Sequence, residues 1–463
     1  MTALESVKPF APLHTAPLYD WDALVQEDRV HRLLYTDPAI FAAEMTHIFG
    51  GTWVYLAHES QVANPNDFIT ARLGQRPLII TRDDEGTIRA LYNRCTHRGT
   101  TLCRRDRGNS RSFQCPYHGW NFLNTGKLRG VPWPEGYADN IVRDRRYNLA
   151  QVPRVESYRG FIFGTLNMDA VPLPAHLGPI SRPIDEWLDR NPGGKVVVCE
   201  ANRLKYKGNW KLAFDNSGDG YHVVYSHRSL LQTENRFKDE DTAKGMSYYQ
   251  TAPDDQPMYI QYMGNGHHFK DKRPNLESRP GGLWAIESLH PGMEHVQEKL
   301  RGRLGDRAEA ILDLAGSEPV NINVFPNLSL LGNHIQVFEP VSFEETDAIW
   351  YGTKIEDVDG TLGEDVLNDI NALRMRTQEG FPNFGEVDDV ANFEQIQRGL
   401  QAPEDEWIYM NRGLGIPGRV CALADGTIKG PATDELFMRE YIREWKRLMK
   451  TQPNIAIRRD PQP

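Results

Sequence analysis

The first third of the chain alternates apolar and polar positions over short segments rich in β-branched and aromatic residues. Turn-forming stretches such as DDEG, GNS and NTG separate these segments. A period of two in short runs is typical of strands, so the pattern predicts an all-β domain. The predicted strands are FITARL, PLIITRD, IRALYNR, SFQCPY and FIFGTLN.

The later part of the chain mixes two periodicities. DVLNDINALRMRTQ and ELFMREYIREWKRLMK carry apolar residues at helical spacing. NVFPNLSLL, IQVFEPVSF and AIWYGTKI are typical of antiparallel strands. The stretch PLPAHLGPISRPIDEWL predicts a linker and a first helix between the two regions, and the polar, proline-containing QPNIAIRRDPQP predicts a loose tail.

Length and charge limit the class of protein. The 463 residues are comfortable for two domains. The net charge of −10 disfavours a general nucleic-acid binder, since such proteins carry a basic surplus. No apolar run is long enough to cross a bilayer, and the first residues lack the layout of a secretory signal. We therefore expect a cytoplasmic protein with no nucleic-acid or membrane partner.

Cysteine and histidine occur together in two short stretches. Cys95-Thr-His97 and Cys115-Pro-Tyr-His118 are separated by seventeen residues, and a glycine follows each pair. A zinc finger groups its cysteines and its histidines separately, whereas here they alternate. The alternation suits a two-iron cluster in which one iron takes both sulfurs and the other both imidazoles. A zinc ribbon is the alternative, and Cys103, outside the pattern, is expected to be a small buried residue.

The wording CTHRG and CPYHGW resembles the Rieske [2Fe–2S] motif of ring-hydroxylating oxygenase large (alpha) subunits. The resemblance implies that Cys95 and Cys115 bind one iron and that His97 and His118 bind the other. Imidazole ligands raise the potential of such a cluster relative to an all-cysteine one, so it can accept electrons from a flavin or ferredoxin donor.

A second set of metal-ligating side chains lies in NWKLAFDNSGDGYHVVYSHR, residues 209–228, where Asp219, His222 and His227 form D-x2-H-x4-H. On a regular helix, residues five apart point in different directions. Both histidines reach one metal only if the helix ends or bulges between them. The β-branched and aromatic stretch 223–225 is a weak helix former and permits this.

Two histidines and one carboxylate form the facial triad of non-haem Fe(II) oxygen chemistry. NFGEVDDVANFEQIQRG contains the adjacent Asp388 and Asp389. It resembles the family's third-ligand region, where an acidic pair precedes an E-x2-Q-like segment, here Glu394 and Gln397. We choose Asp389 as the third ligand, with Asp388 as the alternative. Alone, the two histidines would be interpreted as interior residues and the acidic pair as solvated surface.

The joint occurrence of these motifs resembles the family over most of the chain. It implies an α+β fold: an all-β Rieske [2Fe–2S] domain plus a catalytic domain with an antiparallel sheet flanked by helices, of helix-grip or START-like type. We assign 1–48 to an N-terminal segment packing with the catalytic domain, 49–163 to the Rieske domain and 164–463 to the mononuclear iron domain. His267 and His268 in GNGHHFK are expected in a surface loop.

The resemblance also gives Asp219 a role in catalysis. It would contact His222 of its own chain and His118 of the next subunit in a trimer, orient the histidines and bridge cluster and iron for electron transfer. The alternative is that Asp219 only caps a helix. Phe214, Asn216 and Val223 would lie near the substrate.

The wording of CTHRGTTLCRRDRGN, GNWKLAFDNSGDGYHV, VFPNLSLL and REYIREWKRLM most resembles the benzoate, anthranilate and halobenzoate dioxygenase branch. It implies a terminal oxygenase component that cis-dihydroxylates a small aromatic substrate, a benzoate-type carboxylate, with O₂. Electrons would come from NAD(P)H through a flavin/iron–sulfur reductase, with or without a ferredoxin. The implied assembly contains a small beta subunit in an α3β3 hexamer, with α3 as the alternative.

Three other functions stay open at this point. One is a Rieske monooxygenase, a hydroxylase or demethylase, acting on another aromatic compound. Another is a Rieske electron-transfer protein without chemistry of its own, against which the second metal set argues. The third is a non-enzymatic zinc-binding interaction module. The sequence does not specify the ring, the regiochemistry or an arginine that would bind a substrate carboxylate.

Overall fold

The computed structural model describes residues 5–6, 19–227, 258–271, 293–312, 320–357, 360, 362–376 and 384–459. These residues form two compact units. The first unit contains Ala42–His176, residues 5–6 and the described chain from Leu448 onward. The second contains Tyr19–Phe41 and the described residues of Leu177–Arg447.

This partition differs from the domain boundaries expected from the sequence. The first unit extends beyond 49–163 at both ends and also takes in the C-terminal residues. Within the predicted N-terminal segment, Tyr19–Phe41 belongs to the second unit and Ala42 onward to the first. Residues 1–4 and 7–18 of that segment lie outside the described residues.

The prediction of a loose C-terminal tail is wrong for the part of it that the structure describes, which ends at Arg459. Strand β23 (Ala456–Ile457) pairs antiparallel with β1 (Glu5–Ser6), and Arg458 forms a further bridge with Gln151. Ala456 is buried. The polar composition concealed this strand because the bonds that hold it are backbone bonds, which place little demand on side-chain type.

The first unit consists of short antiparallel strands, as the alternating pattern predicted. Its further strands are β3 (Val54–His58), β4 (Asp67–Leu73), β5 (Arg76–Arg82), β6 (Ile88–Tyr92), β7 (Arg107–Asn109), β8 (Ser112–Gln114), β9 (Asn121–Leu123), β10 (Leu128–Gly130), β11 (Arg154–Tyr158) and β12 (Phe161–Thr165). They form sheets in the orders β6-β5-β4-β7, β8-β9-β10 and β3-β12-β11. One core cluster buries Cys95, Cys103 and Cys115 together with Trp120 and Phe122, so Cys103 is the small buried residue expected.

The second unit is organised around one antiparallel sheet. Its strands are β13 (Val197–Tyr206), β14 (Tyr259–Gly264), β15 (His267–Asp271), β16 (Val320–Val324), β17 (Leu328–Leu331), β18 (His334–Ser342), β19 (Glu345–Lys354), β21 (Cys421–Ala422) and β22 (Ile428–Pro431). Among the described residues their order is β13-β19-β18-β17-β16-β15-β14-β22-β21. A separate pair joins β2 (Arg29–His31) to β20 (Trp407–Tyr409).

Most of the helices belong to the second unit. They are α1 (Trp21–Leu24), α2 (Leu33–Thr36), α3 (Pro38–His47), α4 (Leu173–Leu177), α5 (Ser181–Asp189), α6 (Trp210–Gly218), α7 (Val223–Ser226), α8 (Met293–Leu304), α9 (Ala308–Leu312), α10 (Glu364–Arg376), α11 (Phe384–Gly399) and α12 (Leu436–Lys450). One unit built mainly of short antiparallel strands and one of antiparallel sheet and helices confirm the predicted α+β fold class. No helix in the described ranges combines the length and apolarity needed to span a membrane.

Helix α6 packs on the sheet of the second unit and is anchored at both ends. Asn209 caps its start, its side chain accepting from the Lys211 N–H. On its buried face the Phe214 ring meets the rings of Phe325 and His268 edge-on. The helix ends at Gly218, where a Cβ atom would lie only 2.6 Å from the His268 ring.

The prediction of a surface loop at His267 and His268 is wrong. Both residues lie in β15 with no exposed surface. His267 Nδ1 accepts a hydrogen bond from the Phe325 N–H at 3.0 Å. The sequence misled because the strand is covered on both faces, so its histidines are interior although the flanking GNG turn is typical of a surface hairpin.

Candidate metal centres

The two Cys/His loops of the first unit close in the same way. In each, the N–H of the cysteine donates to the carbonyl five residues later, at 2.8 Å for Cys95 and 2.7 Å for Cys115. The N–H of the following glycine, Gly99 or Gly119, donates back to the cysteine carbonyl at 2.9 and 3.0 Å. Backbone bonds thus fix the shape of each loop and leave the Cys and His side chains available.

Both loop glycines have positive φ, +82° at Gly99 and +73° at Gly119, a conformation that favours glycine. At Gly119 a Cβ atom would also lie 2.9 Å from the Pro132 ring. The first loop is further held by Asn93, whose side chain bonds the backbone of Cys103 in both directions at 2.8 Å.

The four candidate cluster ligands form a sulfur pair and an imidazole pair. The two thiols are buried and adjacent, and burial first, with the Cys115 side chain adding to it, raises the pKa of Cys95 to about 11. The rings of His97 and His118 are 4.7 Å apart, and His97 stacks flat on Trp120 at 4.8 Å.

An orphaned nitrogen tests whether these residues fit a cluster. His97 Nδ1 is buried and has no hydrogen-bond partner within the described chain. A buried imidazole nitrogen without a partner, next to two buried, adjacent thiols, suits coordination to iron better than solvation. The donor set therefore fits a [2Fe–2S] cluster held by two sulfurs and two nitrogens.

His222 and His227 flank the single turn of α7 in the second unit. We expected the helix to break between the two histidines, but the break comes before both of them. Helix α6 stops at Gly218, and the chain turns through Asp219 and Gly220 before α7 begins. His222 directly precedes α7 and His227 directly follows it. As a result the two Nε2 atoms lie 3.2 Å apart and face the same space.

Asp389 on α11 completes this arrangement. Its Oδ1 lies 3.7 Å from His222 Nε2 and 3.4 Å from His227 Nε2, and the three ligand atoms all lie within 4.8 Å of one another. Asp388 instead approaches the other nitrogen of His227, with Oδ2 3.8 Å from Nδ1. The geometry therefore favours Asp389 over Asp388 as a third ligand.

The electrostatics of this site suit a bound cation. Asp389 Oδ1 is buried without a hydrogen-bond partner in the described structure. Burial raises the pKa of Asp389 to about 6, although the nearby His222, Asn216 and Lys270 oppose this. Burial and the neighbouring His222 lower the pKa of His227 to about 4, so its ring is neutral at pH 7. Two imidazoles and a carboxylate fit a divalent iron ion.

Asp219 orients one of the histidines. Its Oδ2 lies 3.1 Å from His222 Nδ1, and its Oδ1 accepts from the Tyr221 N–H at 2.5 Å. Burial would raise the pKa of Asp219, but the hydrogen bonds and charge of His222, with those of Tyr221 and Lys270, outweigh it and lower the pKa. An Nδ1–H that donates to this carboxylate leaves Nε2 free to bind metal.

Glu394 and Gln397 hold α11 against the chain before α6. Gln397 Oε1 accepts from the Asn209 N–H at 3.0 Å, and its Nε2 donates to the Tyr35 carbonyl at 3.1 Å. Glu394 Oε1 accepts from the Lys207 N–H at 3.2 Å. The E-x2-Q spacing puts both side chains on one face of α11. Their hydrogen bonds fix the position of this helix, and Asp389, on the same helix, therefore lies close to the two histidines.

The structure places the three predicted substrate residues differently from one another. Asn216 Nδ2 lies 3.4 Å from His222 Nε2, beside the metal-ligating nitrogens. Val223 is half-buried in the first position of α7. Phe214 is fully buried, with its ring against Phe325 and Tyr441.

Lys270 was missed by the sequence reasoning. It is buried in β15, and its Nζ donates to the Asp219 carbonyl at 3.0 Å. Its positive charge is one of the influences on the pKa values of Asp219, His227 and Asp389. The available signal was its place two residues after His268, on the same side of a strand.

Comparisons with known proteins identify two domain families in this chain. The Rieske [2Fe-2S] domain family matches residues 52–153, and the catalytic domain family of ring hydroxylating alpha subunits matches residues 194–451. The chain belongs to the Rieske-type ring-hydroxylating oxygenases, and it is a large, or alpha, subunit of that oxidoreductase family. The resemblance inferred from the sequence is therefore confirmed.

Three relatives illustrate the match. The large subunit of 2-halobenzoate 1,2-dioxygenase from Burkholderia cepacia is 36% identical over 400 residues, 83% of this chain and 80% of the relative. Toluate 1,2-dioxygenase subunit alpha from Pseudomonas putida is 34% identical, covering 82% of both chains. The solved structure of naphthalene 1,2-dioxygenase from Rhodococcus sp. bound to indole is 28% identical, with a TM-score of 0.71 over 91% of this chain and 94% of that one.

Proposed function

We propose that this chain is the terminal oxygenase component that cis-dihydroxylates a benzoate-type aromatic acid, using O₂ and electrons that a flavin/iron–sulfur reductase draws from NAD(P)H. The observation that carries the proposal is the convergence of His222 Nε2, His227 Nε2 and Asp389 Oδ1 in one buried space beside Asp219. The names of two relatives, a halobenzoate and a toluate dioxygenase, support an aromatic acid as substrate.

In this proposal His222, His227 and Asp389 hold Fe(II), and the two Cys/His loops hold the cluster. When bound, the iron supplies the site of O₂ reduction and the [2Fe–2S] cluster supplies single electrons. The protein's contribution at the iron is orientation: Asp219 fixes the Nδ1–H of His222, which keeps the Nε2 lone pair directed at the shared space.

Asp219 has a second proposed role, as the bridge to a cluster in a neighbouring copy of the chain. Its side chain is about a third exposed, at 29%, and the adjacent Tyr221 and Tyr225 are also exposed. In the first unit Tyr117, next to His118, is exposed as well. Both ends of an inter-subunit path therefore reach the surface. We infer a trimer of alpha subunits with a small beta subunit, α3β3, in which α3 alone is the alternative.

The reaction is tested with the alpha chain, its beta partner, a compatible reductase and ¹⁸O₂. The substrates are benzoates, aminobenzoates, hydroxybenzoates and neutral arenes, and products are read by mass spectrometry. Since dihydroxylation consumes one O₂, two electrons and two protons per ring, the expected product from an acid carries two labelled oxygen atoms. One labelled atom would instead identify a monooxygenase, and no oxygenated product from any acid would refute the proposal.

The bridge is tested separately with Asp219→Ala. The variant should keep the visible spectrum of the reduced and oxidised cluster, yet lose product formation by about 10–100-fold, the range typical of an outer partner of a metal ligand. Single-turnover electron transfer from pre-reduced cluster separates this role from a structural one. Normal turnover by the variant would eliminate the bridge, and a variant with an altered cluster spectrum would indicate a folding defect instead.

A further inference from the structure

A row of polar side chains crosses the sheet of the second unit on one face. Register pairs His268 with Asn323, Asn323 with Ser329, Ser329 with Gln336 and Gln336 with Trp350. Residues directly opposite each other on neighbouring strands project from the same face, with Cβ atoms about 5 Å apart. These five side chains, from β15 to β19, are the polar row.

The polar row is buried, and most of its polar atoms have no partner. His268 and Asn323 have no exposed surface, and Ser329 has 1%. Both ring nitrogens of His268, both amide atoms of Asn323, Ser329 Oγ and Trp350 Nε1 lack a hydrogen bond within the described chain. Buried polar side chains are rarely left this way, because the unpaired groups destabilise the fold.

The opposite face of the same strands shows what an ordinary core looks like. There the register joins Phe269 to Ile322, Ile322 to Leu330 and Leu330 to Ile335, all buried and apolar. Alternation of this kind normally turns the polar side toward water. In this sheet the polar side faces α6 instead, as the contact between the Phe214 ring of α6 and the His268 ring shows.

The polar row begins next to the proposed iron site. The Gly218 backbone touches the His268 ring closely enough that a Cβ would lie 2.6 Å from Nε2. On the same face, Asn321 Nδ2 donates to the Ser217 carbonyl at 3.1 Å, and Lys270 Nζ donates to the Asp219 carbonyl at 3.0 Å. The row therefore runs away from the turn that leads into His222.

We propose that His268, Asn323 and Ser329 form the seat for the carboxylate of the aromatic acid, a role that rests on the proposed function of this site. Asn323 Nδ2 and Ser329 Oγ donate to the carboxylate oxygens from adjacent strands, and one ring N–H of His268 adds a third donor. The seat thus determines specificity for acids over neutral arenes.

The charges on this face suit an anion. The polar row contains no carboxylate. Each of its five side chains has an N–H or O–H group that can donate a hydrogen bond to an anion. Lys270, two residues after His268 on β15, brings a positive charge to the same face. Hydrogen bonds to an ionised group are stronger than those between neutral groups, so an acid gains more from these donors than its amide does.

The test uses the iron-loaded alpha chain with its beta partner, kept without reductant or O₂. Calorimetry measures the dissociation constants of benzoate and of benzamide, its neutral counterpart, for the wild type, Asn323→Leu and Ser329→Ala. Wild type should favour benzoate, and each variant should lose about tenfold of that preference, as expected for one hydrogen bond to a charged group. Ser342→Ala, the same change on β18 outside the row, should keep the preference.

Thermal unfolding without ligand shows whether Ser329 stabilises the fold, which the binding measurement does not show. If Ser329 Oγ serves a ligand, its removal leaves Tm unchanged or raises it, because an unpaired buried hydroxyl is lost. A Tm lowered as far by Ser329→Ala as by a core truncation would mean a structural role and would overturn the seat. So would an unchanged preference in both variants, the result expected if the row only binds water, or a wild type that binds no acid.

The two proposals fail in different ways. Doubly labelled product from an acid, with unchanged acid preference in the variants, would retain the proposed function and refute the seat. Acid binding that both variants weaken, without any oxygenated product from the wild type, would retain the seat and refute the proposed function.

Discussion

The two metal centres of this chain are built on opposite plans. The Cys/His centre takes its residues from two loops that lie within Cys95–His118, and each loop is closed by its own backbone bonds. The His/His/Asp centre joins α7 to Asp389, 162 positions beyond His227, and depends on how α11 packs against α6. A local centre is thus specified by spacing, whereas a dispersed one is specified by tertiary contacts.

The substitution expected to have the largest effect on iron content and product formation is at Asp389, in the dispersed centre. Asp389→Ala removes the carboxylate that only tertiary packing supplies, so iron should fall from three atoms per chain to the two of the cluster. Product formation should drop by more than the ~10–100-fold typical of losing an outer partner. Metal analysis of the purified protein, together with product yield, measures both quantities.

Asp388→Ala is the matched control, since it removes the neighbouring carboxylate that approaches the other nitrogen of His227. It should keep three irons and most of the activity. Equal losses in both variants would contradict the choice of Asp389.

The local centre should be most sensitive to its turns. Gly119→Ala places a Cβ 2.9 Å from the Pro132 ring at a positive φ, so cluster content per chain should fall. Gly86→Ala has the same kind of φ, +84°, with no atom within 4 Å, and should cost only about 1 kcal/mol with full cluster content. Cluster absorbance per protein compares the two, and equal absorbance would show that backbone strain alone matters.

The dispersed centre should lose its metal in mild acid. Burial raises the pKa of Asp389 to about 6, and a ligand must be deprotonated to bind. Above that pKa this carboxylate is already ionised, so its effect on affinity is small; below it, iron affinity should fall by about tenfold or more per pH unit. Iron competition with a chelator between pH 5 and pH 7.5 measures this, and constant retention down to pH 5 would contradict it.

The smallest effects concern how α11 is held. Gln397→Ala leaves the buried Asn209 N–H without its partner and removes one of the hydrogen bonds to the Tyr35 carbonyl, so we expect a loss of about 1–3 kcal/mol in the free energy of unfolding. Glu394→Ala removes one bond at a more exposed position and should cost less than about 1 kcal/mol. Denaturant unfolding measures both, and the reverse order would show that Glu394 is the main contact.

What the sequence revealed follows the same contrast. The family, the fold class and the short strands of the first unit were predicted correctly, because ligand spacing and period-two alternation are local properties. His268 was misjudged because the alternation in HHFKD is the same whether the polar face meets water or, as here, packs against a helix. Asn323 and Ser329 could not be recognised, because the register that aligns them with His268 joins separate strands.

The C-terminal strand β23 has a consequence for how the chain is made. Residues 448–459 complete the unit that carries the Cys/His loops, yet they leave the ribosome only after the whole of 177–447. During synthesis, domains fold in the order in which they emerge. The second unit is therefore fully translated before the first can form its β1–β23 pair. A truncation at the C-terminal end would remove part of the unit that carries the Cys/His loops and leave the unit that carries His222 and His227 intact in sequence.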